Sequence, residues 1–254
     1  MLPTKKSARR YVREMRAPAR RVLAASLALL ALSGCDSTFG QKSGATKQSR
    51  GISDLWRGSM LAAIVVGAIV ASLIIWCVLR YRHRPRDGVP SQRQYNVPLE
   101  ITYTAIPIII VLVLFAFSWT VQNDVDALSS NPDVTVEVRG FQWQWQFHYR
   151  NDDVTVTGLP DRTPVMVLPV GETVRFVLTS RDVIHSFYVP DFLFKRDVIP
   201  GVKNQFDVTV EKPGLFRGYC AEFCGLDHAR MTFAVRGVSK ADYRAWIARR
   251  QTSP

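Results

Sequence analysis

"VTVEVRG", residues 134–140, sets a valine at every second position. A period of two belongs to a strand with one buried face. The same alternation returns in "VTVTG" (154–158), "TVRFVLTS" (173–180), "NQFDVTV" (204–210) and "MTFAVRG" (231–237), with Gly, Pro, Asn and Asp between the runs. Short β-branched runs at such spacing predict an antiparallel sandwich or barrel. No long helical pattern interrupts them, which argues against a parallel α/β sheet. Past Ser239, an N-cap residue, "KADYRAWIARR" (240–250) reads as one short terminal helix with basic residues at its C-terminal end.

Upstream the pattern changes. Met60–Leu79 is twenty residues without a charge, and Ile101–Val121 is twenty-one. Each is about 30 Å long as a helix, the thickness of a bilayer's hydrocarbon core. The reading is a transmembrane hairpin over 55–122, with spans at about 58–80 and 101–121, followed by an outer domain over 123–254. Pro107 is tolerated inside the second span if neighbouring groups re-satisfy the backbone. Arg80, Arg82, Arg84, Arg86 and Arg93 fill the connecting loop, which the positive-inside rule places in the cytoplasm. Everything beyond residue 122 then faces outward. Cys77 reads as a small apolar residue of the first span, and His83 as part of the basic loop.

The first 34 residues read as a bacterial export signal: a long basic region precedes "VLAASLALLAL", which is too short to span a bilayer. "LSGC" follows and resembles the lipobox of bacterial lipoproteins, making Cys35 a lipidation site; the alternative is an ordinary signal with an incidental cysteine. Residues 35–54 read as a flexible tether. The predicted location is the bacterial cytoplasmic membrane, in contact with its lipids.

Charge distribution removes one function class. Of the net +12, residues 1–34 supply +7 and the loop 80–98 supplies +4, while from residue 122 onward sixteen basic and sixteen acidic side chains cancel. A neutral outer domain offers no footprint for nucleic acid.

The chemistry is concentrated in "YCAEFCGLDHARM", residues 219–231. A Cys220–Cys224 disulfide would close a short loop, stabilise it modestly and leave His228 and Met231 unexplained. Structural zinc takes four strong N or S donors, and a thioether is a poor one. Thiolates, imidazole and thioether together suit copper. A mononuclear blue-copper site needs one Cys and two His, whereas this loop has one Cys too many and one His too few. His185, in "DVIHSFYVP" at the end of "TVRFVLTS", supplies the second imidazole; His148 lies in an aromatic strand without soft donors. Two bridging thiolates with one imidazole per metal suit two copper ions better than one. With every position filled by protein, such a site relays electrons and leaves no place for a substrate.

The pattern His185…Cys220-x-Glu222-x-Cys224-x3-His228-x2-Met231 resembles the dinuclear copper (CuA) motif of subunit II of haem–copper cytochrome c oxidases. "KPGLFRGYC", "DVIHSFYVP" and the two-span layout resemble the same family. The resemblance implies a cupredoxin-like Greek-key barrel or sandwich behind the hairpin. It implies Cys220 and Cys224 as bridging thiolates, His185 and His228 on one copper each, and Met231 and the Glu222 carbonyl as weak axial ligands. The Glu222 carboxylate would also reach a magnesium ion at the boundary with subunit I. Subunits I and III and a c-type cytochrome are the implied partners.

"GFQWQWQFHY", 140–149, reads on its own as a strand whose Phe141, Trp143, Trp145 and Phe147 face inward. The resemblance makes Trp143 the port where cytochrome c delivers electrons, and Trp145 a packing residue. Downstream stand His148, Tyr149, Arg150 and Asn151 before Asp152 and Asp153. Acidic docking residues are thus weaker than in mitochondrial relatives, which brings in a cytochrome held in a membrane cytochrome bc complex beside a soluble donor. Glu100, in "LEITYTAIP", resembles a residue at the entrance of a proton path; on pattern alone it equally reads as a carboxylate ending a membrane helix. The implied function is electron entry for oxygen reduction to water, coupled to proton translocation. A quinol oxidase subunit would lack the copper ligands. A thioredoxin-like copper-delivery protein would need α/β periodicity. A nitrous oxide reductase would need far more than four histidines.

Overall fold

The two charge-free runs lie inside two long helices. The computed structural model, which describes residues 39–42, 44–82 and 92–252, places the first in α1, Lys47–Arg80, and the second in α2, Val97–Asp126. Both are long and apolar enough to cross a membrane. Leu73, Ile75, Leu79, Ile101, Val111 and Phe115 stand exposed along them, surface that a bilayer or a partner helix covers at little cost. Each helix starts on a cap. The Thr46 hydroxyl accepts the Ser49 N–H at 3.1 Å while the Ser49 hydroxyl accepts the Thr46 N–H at 3.0 Å, satisfying two amides that would otherwise be orphans. Asn96 does the same for α2 through the Leu99 N–H, and the Glu100 carboxylate accepts the Asn96 N–H at 2.9 Å. The helix continues through Pro107.

One expectation is corrected here. The flexible tether over 35–54 gives way to helix at Lys47, and Ala45, Thr46 and Ser49 are buried. The segment is polar, but its cap and its contacts with the outer domain order it. The signal segment 1–34, Cys35 and His83 lie outside the described residues.

The alternating runs become strands of two five-stranded sheets. In chain order the strands are β1 (Val134–Phe141), β2 (Gln144–Tyr149), β3 (Val154–Thr157), β4 (Val165–Pro169), β5 (Thr173–Ser180), β6 (His185–Val189), β7 (Phe194–Val198), β8 (Asn204–Thr209), β9 (Gly214–Cys220) and β10 (Thr232–Val238). One sheet runs β3-β2-β1-β5-β8 and the other β4-β10-β9-β6-β7. The sandwich is not wholly antiparallel: β1 pairs with β5, and β4 with β10, in parallel. Parallel neighbours need a crossover rather than a hairpin, and the chain provides one by passing through the opposite sheet between them. That is Greek-key wiring, invisible to strand periodicity.

Inward faces fill the space between the sheets. Val134, Val136 and Val138 of β1 and Trp145, Phe147 and Tyr149 of β2 are buried. Phe176 stacks on Phe206 with centroids 4.9 Å apart, and Phe187 on Phe233 at 4.6 Å. The Tyr149 hydroxyl donates to the Val167 carbonyl at 3.0 Å and accepts its N–H at 2.8 Å, joining the two sheets. This double use satisfies a buried phenol. Helix α3, Lys240–Thr252, begins where the Ser239 hydroxyl accepts the Asp242 N–H at 3.1 Å. It buries Tyr243 and Ile247 against the sandwich.

Candidate metal centre

"GFQWQWQFHY" is a hairpin rather than one strand. β1 ends at Phe141 and β2 begins at Gln144, with Phe141 paired to Gln144, so Gln142 and Trp143 form a tight turn. No glycine or asparagine marks it. Its hydrogen bonds hold it: Asp182 accepts the Gln142 N–H at 2.7 Å, and the Gln142 amide and the Trp143 indole both donate to the Cys224 carbonyl, at 2.9 and 3.0 Å. Trp145 and Phe147 face the core, as the alternation predicts, while Trp143 is only half-buried, directly beside the cysteine loop.

His185 arrives differently from the expectation that it ends "TVRFVLTS". β5 stops at Ser180, and His185 opens β6 in the other sheet. Its ring is fully buried and lies against Gly140, where a Cβ would come within 2.9 Å of the His185 Cδ2. Cys220 ends β9, and Phe187 of β6 is its register partner. Residues 221–231 then loop back, through a 3-10 turn at His228–Arg230, to the start of β10.

This wiring gathers six donors. The Cys220 and Cys224 sulfurs are 3.8 Å apart and both thiols are free. His185 Nδ1 lies 3.9 Å from the Cys220 sulfur, and His228 Nδ1 lies 3.5 Å from the Cys224 sulfur. The Met231 sulfur stands 3.8 Å from Cys224, and the Glu222 carbonyl oxygen 3.2 Å from Cys220. Each sulfur thus has one imidazole and one weaker donor. The donor atoms of His185, Cys220 and Cys224 all fall within 4.8 Å of one another. Cys220, Cys224, His185 and Met231 are buried, whereas the Glu222 side chain is exposed.

Electrostatics prepare the pair for a cation. Burial alone would raise the Cys220 thiol. Hydrogen bonds from His185, the Ser186 and Glu222 backbone and Cys224 outweigh it and bring the group down to about 6. Burial pushes Cys224 up to about 12, and the negative charge on Cys220 adds to the rise. A metal ion bound to both sulfurs would displace their protons. Burial would likewise lower His185, but bonds to Cys220 and Asp182 raise it.

Asp182 is a residue sequence reasoning missed. It lies 2.8 Å from His185 Nε2 and also accepts the Gln142 and Val183 amides at 2.7 Å. Burial would raise its carboxyl; these bonds hold it low. It fixes the ring so that Nδ1 faces the sulfurs, the orienting role a carboxylate commonly plays behind a metal-binding histidine. The signal available was an aspartate three positions before His185, too common a spacing to single out. Asp182→Asn is expected to weaken metal retention roughly tenfold to a hundredfold, read by competition with a chelator. Glu100 sits apart, at the end of α2 remote from β1, where its carboxylate serves the cap described above.

A two-sheet sandwich with a Cys–Cys–His–His–Met cluster at one end, all buried but the half-buried His228, carried on a pair of long apolar helices, defines a cupredoxin-like metal-binding domain of a membrane protein. Comparison with known proteins narrows the class. The model of the cytochrome c oxidase subunit II transmembrane domain matches residues 35–121, and that of its periplasmic domain matches residues 160–238. A probable cytochrome c oxidase subunit 2 of Streptomyces coelicolor is 40% identical, over 91% of this chain and 86% of the relative. The cytochrome c oxidase subunit 2 of Mycobacterium tuberculosis is 33% identical, over 90% and 81% respectively. The crystal structure of the periplasmic domain of oxidase subunit II from Bradyrhizobium japonicum is 33% identical, covering 49% of this chain and 97% of that one with a TM-score of 0.46. The chain belongs to the cytochrome c oxidase subunit II family. It is a copper-binding subunit of a haem–copper terminal oxidase, an oxidoreductase, with an outer domain borne on membrane helices.

Proposed function

We propose that this chain is the electron-entry subunit and that its cluster holds two copper ions. Cys220 and Cys224 would be shared between them, His185 and His228 would hold one each, and Met231 and the Glu222 carbonyl would be the weaker donors. The observation that carries the reading is the arrangement of donors: two sulfurs 3.8 Å apart, with a different imidazole beside each. Zinc would leave the thioether and one donor unused. Bound copper supplies a one-electron redox centre whose charge is shared over both sulfurs. The protein's part is to hold every donor in place, so that little moves when the charge changes, and to keep water away from the buried thiols.

A c-type cytochrome, soluble or held in a membrane bc complex, delivers the electron at Trp143. That indole is half-exposed and bonded to the carbonyl of Cys224, which gives a short covalent and hydrogen-bonded route inward. The electron leaves for haem in subunit I, where oxygen is reduced to water and protons are translocated, with subunit III alongside. The exposed Glu222 carboxylate suits a magnesium ion at the subunit I boundary. Glu100 marks the cytoplasmic entrance to a proton path, Cys35 carries lipid, and the outer domain faces away from the cytoplasm of a bacterial cell.

The test uses the full-length chain in detergent, loaded with copper. It should hold two coppers per chain and give an EPR signal shared over both nuclei; one copper with a four-line mononuclear spectrum would sink the reading. Trp143→Phe removes the indole N–H and is expected to slow electron entry severalfold while leaving the copper spectrum unchanged, as stopped-flow oxidation of reduced cytochrome would show.

A further inference from the structure

The segment just before α1 grips the outer domain. The Ala45 N–H donates to the Asp191 carbonyl at 2.7 Å, and the Ala45 carbonyl accepts the Glu211 N–H at 2.9 Å. Thr46 forms a β-bridge with Val210. Gln48 accepts the Thr209 N–H at 3.2 Å, Lys42 pairs with Asp191 at 3.2 Å and Arg50 with Glu211 at 2.6 Å. Ala45 and Thr46 are only 3% and 1% exposed, and a Cβ at Gly44 would sit 2.0 Å from the Ser49 hydroxyl. The closeness of these contacts is more than a linker needs.

What is gripped matters more than the grip. Asp191 lies two residues past the end of β6, the strand that His185 opens, in the short 3-10 turn Pro190–Phe192. Val210 and Glu211 lie between β8 and β9, the strand that Cys220 ends. β6 and β8 belong to different sheets, so the segment ties together both halves of the sandwich. The exit of α2 is tied to the same strand: Asp207 of β8 accepts the Ser129 N–H at 2.6 Å, and Arg175 donates to the Ser129 carbonyl at 2.6 Å while paired with Asp207 at 2.8 Å. Asp126 at the end of α2 also pairs with Arg196 of β7. The outer domain is thereby fixed on the hairpin from both helices.

We propose that Lys42 and residues 44–50 are a positioning clip: they hold the metal loop at a set place and tilt above the membrane helices, so that its acceptor in the neighbouring subunit lies within transfer range. This rests on the electron-entry reading above. Among the described residues, the bonds that α1 and α2 make to the outer domain reach Thr209, Glu211 and Arg196 and none of the six donors, so the clip acts on where the centre stands and not on what binds there. Ion pairs this exposed contribute little by themselves; the Thr46–Val210 bridge and the backbone bonds of buried Ala45 do the holding, and the charges set its register.

The experiment uses the assembled oxidase carrying Ala45→Asp, which forces a carboxylate into the buried bridge, and Arg50→Glu, with Glu211→Arg added to restore the pair. Three quantities are read: amide exchange over 44–50 and 209–211, copper content and spectrum, and kcat and KM with reduced cytochrome c. Faster exchange, an unchanged copper spectrum and unchanged KM are expected. With them kcat falls severalfold in Ala45→Asp, as the donor–acceptor distance grows, and less in Arg50→Glu, where the charge swap recovers it. Released exchange with unchanged kcat overturns the proposal, because the clip then only packs. Loss of copper from the variants also overturns it, because the segment then supports the site itself. Unchanged exchange in both variants overturns it too, since these contacts would not be what holds the segment. A parent oxidase without two coppers in this chain refutes the electron-entry reading instead, and is distinguished by the copper content alone.

Discussion

Cys224→Ser is expected to abolish the proposed copper pair, leaving at most one copper per chain and cutting oxidase turnover by more than about a hundredfold. Cys224 is the hub of the cluster: its sulfur lies 3.8 Å from Cys220, 3.5 Å from His228 and 3.8 Å from Met231. A serine hydroxyl is a hard donor that stays protonated, and it cannot replace a thiolate shared between two soft metal ions. Losing an orienting partner behind a ligand already costs about tenfold to a hundredfold in affinity or activity, so losing a shared ligand costs more. Metal analysis and the visible spectrum measure the effect. Cys77→Ser is the control: Cys77 is a free, exposed thiol on α1, and its loss should leave copper content unchanged.

Trp145→Ala is expected to lower stability by about 3–5 kcal/mol, the usual cost of emptying a buried aromatic site. Trp145 is fully buried, and its ring meets His185 at 6.1 Å, Phe187 at 6.1 Å and Phe233 at 5.3 Å. Its indole N–H points to the Met231 carbonyl at 3.4 Å. The substitution therefore opens a cavity behind His185 and removes a donor from the loop. For a domain of this size the unfolding temperature should fall by about 10 °C or more, followed by near-UV circular dichroism. Unchanged melting would show that the cavity collapses completely.

The architecture was legible where one kind of pattern extended over many residues. Two charge-free runs of twenty and twenty-one residues gave the two helices, and alternating valines gave the sandwich. The residues named for the centre were legible because five of the six lie within Cys220–Met231, and the chain needed only His185 from elsewhere. What escaped depends on contacts distant in sequence. The Gln142–Trp143 turn carries no turn residues because Asp182 and the Cys224 carbonyl hold it. Asp182 itself is an ordinary loop aspartate until β6 places His185 Nε2 beside it. The parallel pairing of β1 with β5 leaves no local trace, since periodicity reports which face is buried and not which neighbour is beside it. Lys42 and residues 44–50 look like a linker because their partners lie beyond residue 190.

That last separation bears on how the protein is made. Arg50 and Glu211, like Gln48 and Thr209, are 161 positions apart. During synthesis from the N-terminus, the clip and α1 exist long before the strands they fasten. Closing so long a loop carries an entropic cost that grows only slowly with its length, but it must await β8 and the start of β9. The sandwich can assemble its local hairpins first and be locked to its membrane base last. A chain stalled before residue 211 would hold a finished anchor and no seat for it, and that unlocked form is what quality-control proteases would encounter.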